Sequence, residues 1–209
     1  MTPTRYWTCY WRHVNWKTNA EYEPVGFSGG GSFRKRGVSA GDVVYIISQG
    51  SGQLLLGGRM TVGRIVSRDE AKRIRKRDDL LSVDEWLVGE EGSGTPLNLH
   101  RQLTPELTKQ LQFVSKGANS KALRFVTDNN LDGQTTRPVR ELTIESAFLL
   151  DEIIDATDRL PRSSSTSTVT DEHLRQYRMH RDAGGLALPE IRSGVTYIEG
   201  SVQRILVNR

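Results

Sequence analysis

The sequence has one cysteine, Cys9, and only four histidines among its 209 residues. A single cysteine excludes an internal disulfide and any zinc site built from several thiolates. The histidines have no cysteine or carboxylate partners at ligand spacing, so no metal site is expected. No apolar run approaches the about 20 residues that a membrane helix needs, and Met1 to Arg5 lack the apolar stretch that is typical of a signal peptide. We therefore expect a protein of the reducing cytoplasm without membrane contact.

The charges of the chain are close to balance. Lys and Arg number 29 against 25 Asp and Glu, which leaves a formal net charge of +4. Hydrophobic residues make up 36% of the sequence, enough to bury a core. The slight excess of positive charge is compatible with a nucleic-acid partner, and equally with an ordinary globular protein.

Apolar and aromatic runs in the first two thirds of the chain are typical of strands. The paired glycines Gly57 and Gly58 predict a bulge in the longest of these runs. The expected strands are 5–10, 43–47, 54–66 and 123–126. The expected helices are 69–78, a short helix that opens at Ser82 and carries Trp86, 104–113 and 143–160. Helices that follow groups of strands, without regular alternation, indicate an α+β fold.

A Ser- and Thr-rich stretch divides the chain. Residues 161–169 read Pro-Arg-Ser-Ser-Ser-Thr-Ser-Thr-Val and predict a flexible linker. We expect a domain at 1–160 that forms a small curved β-barrel with covering helices. Residues 170–209, a charged helix followed by a strand-like stretch, are expected to form a short α/β connector.

A glycine-rich segment, Gly26 to Gly37, lies between the first two expected strands. It lacks the G-x-x-x-x-G-K-[ST] order of a nucleotide-hydrolysing loop. Its rings, hydroxyls and cations are of the kinds that hold a base and its phosphates. The alternative is a surface loop with two phenylalanines in the core. The residues in question are Phe27, Ser28, Ser32, Phe33, Arg34, Lys35 and Arg36.

Two further groups carry chemistry. The aromatic residues near the N-terminus include Trp16, which lies just outside the first strand and is the best pocket candidate of this group. The run from Lys72 to Arg77 favours a phosphate-contacting helix face or a merely solvated one. No nucleophile and base stand at a recognisable spacing, so nothing in the sequence indicates an enzyme.

The motif order in residues 5–67 resembles the EVE branch of the PUA-like superfamily. The motifs are Tyr6-Trp7, Asn15-Trp16, the strand entry Gly41-Asp42-Val43-Val44-Tyr45 and the strand end Val62-Gly63-Arg64-Ile65-Val66. This resemblance implies a small nucleic-acid-binding barrel that reads a modified base. It also implies that the base leaves the stack and enters an aromatic pocket.

The C-terminal stretch resembles the segment that leads into the nuclease module of HNH restriction endonucleases. The residues are Gly200 and, seven positions later, Val207-Asn208-Arg209. The resemblance implies that this chain is the sensor part of a modification-dependent, type IV-like enzyme whose nuclease lies outside it. A divalent metal is then expected only in that nuclease, and no cofactor is expected in this chain. A homodimer contact would form through the C-terminal part.

Together the resemblances imply double-stranded DNA with 5-methyl- or 5-hydroxymethylcytosine as the partner. The base-binding candidates comprise stacking rings and hydrogen-bonding groups, the carboxylate suiting the cytosine amino group. They are Trp16, Phe27 and Phe33 for stacking, and Ser28, Ser32 and Asp132 for hydrogen bonds. The phosphate-binding candidates are Arg34, Lys35, Arg36, Lys72 and Arg73.

Two alternatives remain open. One is an RNA-binding PUA-like module that reads a modified or unpaired ribonucleotide. The other is a small-molecule sensor or an interaction domain without nucleic-acid binding, which would show no salt-dependent binding to any oligonucleotide.

Overall fold

The computed structural model describes residues 3–12, 23–98, 100–115, 120–158 and 167–182, and within them it is a mixed α+β fold. The strands are β1 (Tyr6–Tyr10), β2 (Phe27–Gly30), β3 (Val43–Gly50), β4 (Gln53–Ser67), β5 (Glu85–Gly89), β6 (Arg101–Leu103), β7 (Gln112–Val114), β8 (Ser120–Ala122), β9 (Phe125–Thr127), β10 (Asn130–Leu131), β11 (Arg140–Glu141) and β12 (Ser167–Val169). The helices are α1 (Phe33–Arg36), α2 (Arg68–Arg75), α3 (Pro105–Gln110), α4 (Gly133–Thr136), α5 (Ile144–Asp158) and α6 (Asp171–Asp182).

Eight strands form the main sheet. Six of them follow the order β11-β1-β3-β4-β5-β2, and β6 joins β4 to β12. The pairs β1–β3 and β6–β12 are parallel, and the other pairs in this sheet are antiparallel. None of the described helices is long and apolar enough to cross a membrane.

The strands predicted from the apolar runs are confirmed as β1, β3 and β4. The bulge predicted at the paired glycines is confirmed as well. Ile46 pairs with Gly58 and Ile47 with Leu56, so Gly57 has no partner across the ladder. The extra residue bends β4 next to the centre of the sheet.

The helix predicted from Ser82 through Trp86 is wrong, because this segment enters strand β5. Trp86 and Val88 pack on one side of β5, and Leu87 packs on the other side with no exposed surface. That alternation suits a strand, and β5 receives backbone partners from both β4 and β2. Pairing with distant strands outweighs the local capping pattern.

Strand β3 is buried on both faces and separates two cores. Val44 and Ile46 face an inner core, and Tyr45 and Ile47 face an outer core beneath the helices. The inner core consists of Trp7, Cys9, Val25, Phe33, Val38, Val44, Ile46, Met60, Val62, Leu87 and Leu97. The outer core includes residues of α3, α5, β12 and α6, so the described part of 167–182 packs on the same sheet.

Strands β1 and β2 meet through side chains, although three strands separate them in the sheet order. The Trp11 indole N–H, just after β1, donates to the Ser28 hydroxyl on β2 at 2.8 Å. The Cys9 thiol lies 3.1 Å from the same hydroxyl. Among the described residues no backbone ladder closes the sheet into a barrel.

Candidate nucleic-acid interface

Helices α1 and α2 begin at the same end of the sheet. Gly30 at the end of β2 and Ser67 at the end of β4 both pair with Glu85 at the start of β5. Helix α2 starts directly after Ser67, and α1 starts three residues after Gly30. The two most basic segments of the sequence are therefore brought to one edge by strand register.

The short strand β2 presents alternate residues to its two sides. Phe27 and Gly29 lie toward a small cluster that α2 covers, because Phe27 packs in that cluster and Trp86 lies against Gly29. Ser28 and Gly30 lie toward the inner core, where they meet Cys9 and Phe33. This alternation follows from the two-residue period of a strand.

Helix α2 is fixed at its start and by its buried face. The Ser67 hydroxyl accepts a hydrogen bond from the backbone N–H of Glu70 at 3.3 Å, the usual cap of an N-terminus. Ala71 is fully buried, and Ile74 packs beside it against Trp86. With this face turned inward, the helix exposes Arg73, Arg75 and Lys76, while Lys72 is half-buried.

Arg34 anchors α1 to the sheet. Its guanidinium donates to the Ile65 carbonyl oxygen and forms an ion pair with Glu85, and its backbone N–H donates to the same carboxylate at 3.0 Å. The side chains of Lys35 and Arg36 are exposed and have no partner among the described residues. Arg34 thus holds the helix, while its two neighbours remain available to a ligand.

Phe27 connects β2 to the end of α2. The guanidinium carbon of Arg75 lies 5.0 Å from the centre of the Phe27 ring, within the range of a cation–π contact. The ring is half-buried, so part of it still faces solvent. A partly exposed ring beside a guanidinium is the kind of surface on which a nucleobase stacks.

The cations on α1 and α2 outnumber the carboxylates that could neutralise them. Glu85 pairs with Arg34, and Glu70 pairs with Arg64 at 3.5 Å. Arg68 at the start of α2 has no carboxylate partner among the described residues, but its guanidinium donates to the Leu80 carbonyl oxygen at 3.1 Å. Six further cations also have no carboxylate partner among the described residues, and we call these six the basic surface. They are Lys35, Arg36, Lys72, Arg73, Arg75 and Lys76. The phosphate-binding candidates of the sequence lie in or beside this surface.

The glycine-rich segment packs against the protein's own rings. A Cβ on Gly29 would lie 3.0 Å from the Trp86 indole, and a Cβ on Gly30 would lie 2.7 Å from the Phe33 ring. Phe33 is fully buried, and its ring and that of Phe27 lie in different clusters. The described residues therefore do not bring these two rings together as the walls of one slot.

The hydrogen-bonding candidates are placed in different surroundings. The Ser28 hydroxyl is 1% exposed and engaged with Trp11 and Cys9. Ser32 is half-buried before α1, and its hydroxyl forms no cap bond. Asp132 caps α4 through the Gln134 N–H at 2.9 Å, well outside the glycine-rich segment in sequence and in contacts. Trp16 lies outside the described residues.

Two participants were missed in the sequence. Trp11 belongs to the aromatic residues near the N-terminus, for each of which the sequence favours core packing, and its contact with Ser28 places it beside β2. Arg75 belongs to the basic run, yet its contact with Phe27 depends on how α2 packs. The spacing of three residues between Lys72 and Arg75 places their side chains next to each other on a helix. This spacing is the one feature of the sequence that links Arg75 to the candidate residue Lys72.

The described residues contain no group of three or more His, Cys, Asp or Glu side chains placed to hold a metal ion. No protein-family model matches the chain, and no curated protein matches it in sequence.

Proposed function

We propose that this chain is a nucleic-acid-binding module that holds phosphates on its basic surface. The observation that carries the proposal is the basic surface: six cations on α1, on α2 and at the C-cap of α2, without carboxylate partners among the described residues, on helices that begin at one sheet end. Lys and Arg side chains that contact phosphates release condensed counterions, and this release drives binding. The surface needs no catalytic group for this role.

Within this function, we propose that the module reads 5-methyl- or 5-hydroxymethylcytosine in double-stranded DNA. The fold would be a small curved barrel of the PUA-like, EVE type. The contact of Trp11 with Ser28 supports this, because it joins the strand of the Tyr6-Trp7 motif to the glycine-rich strand. Phe27, half-exposed beside Arg75, is the ring that the geometry offers for stacking. Trp16 remains the second stacking candidate.

The wider setting that we propose is modification-dependent restriction in the cytoplasm. The sensor would recognise altered cytosine and an HNH nuclease would cut, with its divalent metal bound in the nuclease. The likeness of the Val207-Asn208-Arg209 stretch to HNH lead-in segments supports this link. The nucleotide sequence downstream of Arg209 in the gene tests it directly, through a His-Asn-His pattern.

The phosphate-binding part is tested by charge neutralisation. We expect Lys35→Gln, Arg36→Gln and Lys72→Gln each to weaken binding to every 20-base-pair duplex. Each should also lower the slope of log affinity against log salt by about one. Arg175→Gln, on α6 and ion-paired with Glu172, is the charge-matched control. Fluorescence anisotropy over a salt series gives both quantities, and equal effects of all four variants contradict the proposal.

The base-reading part is tested with duplexes that differ in one cytosine: unmodified, methylated, hydroxymethylated or glucosylated. We expect the intact chain to prefer a modified duplex. Phe27→Ala or Trp16→Ala should remove the preference, since a stacked base contributes about 1–3 kcal/mol. Equal affinity for all duplexes, with tighter binding to single-stranded RNA, favours the RNA-binding alternative. Binding to none of these nucleic acids contradicts the proposed function.

A further inference from the structure

A groove of about 490 Å³ lies outside the basic surface and is lined by cations. Its described lining residues come from β8, the chain around α4, and β11. They are Lys121, Ala122, Arg124, Thr135, Pro138 and Arg140. None of these six residues is acidic, and three of them carry positive charge. A concave surface lined by one sign of charge concentrates its field and attracts counter-ions.

Arg140 is half-buried in this groove, and its guanidinium is held by several contacts. Its guanidinium carbon lies 3.9 Å from the centre of the buried Phe113 ring. Its N–H groups donate to the carbonyl oxygen of Thr135 at 3.2 Å and to that of Lys121 at 3.5 Å. Burial lowers the pKa of the Arg140 guanidinium, which still carries its charge at neutral pH. The contacts orient a planar donor without neutralising it.

The other two cations of the groove, Lys121 and Arg124, are exposed. The Arg124 side chain is 74% exposed and forms an ion pair with Asp132 at 3.1 Å. That carboxylate also accepts the N-cap bond of α4, so its charge is shared between two donors. Lys121 is exposed and has no side-chain partner among the described residues. One carboxylate beside three cations leaves the groove with a positive excess.

A second groove of similar size does not have this excess of positive charge. The groove along α6 has nearly the same volume, about 480 Å³, and also contains arginines, Arg175 and Arg178. Its lining includes Asp171, Glu172 and Asp182, which balance those charges. Volume and arginine content are therefore similar, and of these two grooves the one at Arg140 has no acidic residue among its described lining.

We propose that the groove at Arg140 binds a phosphodiester of a nucleic acid. Guanidinium forks match phosphate oxygens in geometry, and the volume lies in the range of nucleotide-sized ligand sites. Ala122 and Pro138 provide apolar surface for a sugar or base beside the phosphate. The groove then adds a second contact to the nucleic acid held on the basic surface, and in this respect it rests on the proposed function.

The first test is the salt dependence of duplex binding, measured by anisotropy on the full chain. Lys121→Gln and Arg124→Gln should each lower the salt slope by about one and weaken binding several-fold at moderate salt. Arg140→Lys, which keeps the charge but loses the fork, should weaken binding with a nearly unchanged slope. Arg175→Gln is the matched control for Arg124→Gln. Each substitution leaves one carboxylate without its arginine partner, Glu172 in the control and Asp132 in the groove. Unchanged slopes in Lys121→Gln and Arg124→Gln overturn the proposal.

The second test separates this groove from the basic surface. Inorganic pyrophosphate is titrated into the full chain, and backbone amides are followed by NMR. We expect saturable shifts at Lys121 and Arg124 in the wild type and in Lys35→Gln, but none in a Lys121→Gln/Arg124→Gln variant. If pyrophosphate shifts the groove amides but the chain binds no nucleic acid, the groove is an anion site. In that case the proposed function and the assignment of a phosphodiester as the ligand are both wrong. Normal duplex binding without groove shifts overturns the groove alone.

Discussion

The Ser28 hydroxyl accepts the Trp11 indole N–H at 2.8 Å, and this bond connects strands that three other strands separate in the sheet. The hydroxyl is almost completely buried, as is the neighbouring Cys9 thiol. A single oxygen thus contacts both the indole N–H of the half-buried Trp11 and the thiol of the buried Cys9. Such a contact determines how closely β1 and β2 approach.

Ser28→Ala should destabilise the protein, because it removes the acceptor of the Trp11 N–H at a buried position. We expect a loss of about 1–3 kcal/mol in the free energy of unfolding, measured by urea denaturation. Ser48→Ala is the matched control: Ser48 is also fully buried, but its hydroxyl has no hydrogen-bond partner among the described residues. That substitution should be neutral or stabilising, and equal losses in the two variants contradict the role given to Ser28.

The Cys9 thiol should react slowly and make stability depend on pH. Burial raises its pKa from 9.0 to about 11, against the opposing effect of the Ser28 hydrogen bond. The unfolded chain therefore loses this proton first, so stability should fall as pH rises from about 9 to about 11. Cys9→Ala should abolish this part of the pH dependence. Alkylation by iodoacetamide should be fast only in denaturant, and rapid alkylation of the native protein would argue against the burial.

Gly30→Ala tests why the segment is rich in glycine. The added methyl would lie 2.7 Å from the ring of Phe33, which is fully buried and cannot move aside. A destabilisation of about 1–3 kcal/mol is expected. Gly31→Ala meets nothing within 4 Å and should change stability by less than about 1 kcal/mol. If Phe33→Leu relieves the loss at position 30 in a double-mutant cycle, the ring is confirmed as its cause.

Tyr45 links the sheet to α5 through a buried hydroxyl. It donates to the Asp151 carboxylate at 2.7 Å, and Arg59 pairs with the same carboxylate at 2.8 Å. Tyr45→Phe should cost about 1–3 kcal/mol of stability, since a carboxylate loses a donor in a partly buried place. Tyr6→Phe is the comparison, because the Tyr6 hydroxyl has no partner among the described residues. Thermal unfolding followed by circular dichroism distinguishes the two.

The sequence predicts best where burial alone decides the structure. The run Val43 to Ile47 consists of four aliphatic residues and Tyr45, because β3 is covered on both faces, and this pattern identifies it as a central strand. The bulge at Gly57 was readable for a similar local reason. The capping pattern at Ser82 predicts a helix through Trp86, but the segment enters strand β5. A four-residue pattern carries no information about the two strands that pair with β5.

The site was predicted only in part for the same reason. Basic runs at Arg34 and Lys72 were visible, but strand register brings them together, and no local pattern encodes that register. The groove at Arg140 depends on side chains up to 19 positions apart and on the Phe113 ring beneath them. Phe33 lies in a segment whose composition is that of a pocket, but its ring is fully buried in the inner core.

The pairing of Trp7 with Glu141 has a consequence for biosynthesis. Strand β1 leaves the ribosome before its outer neighbour β11, which follows more than a hundred residues later. Until then, one edge of β1 carries unpaired amide groups, a template for contacts with other nascent chains. The hydrophilic Thr8 and the brevity of this edge, two paired positions, limit that exposure during translation.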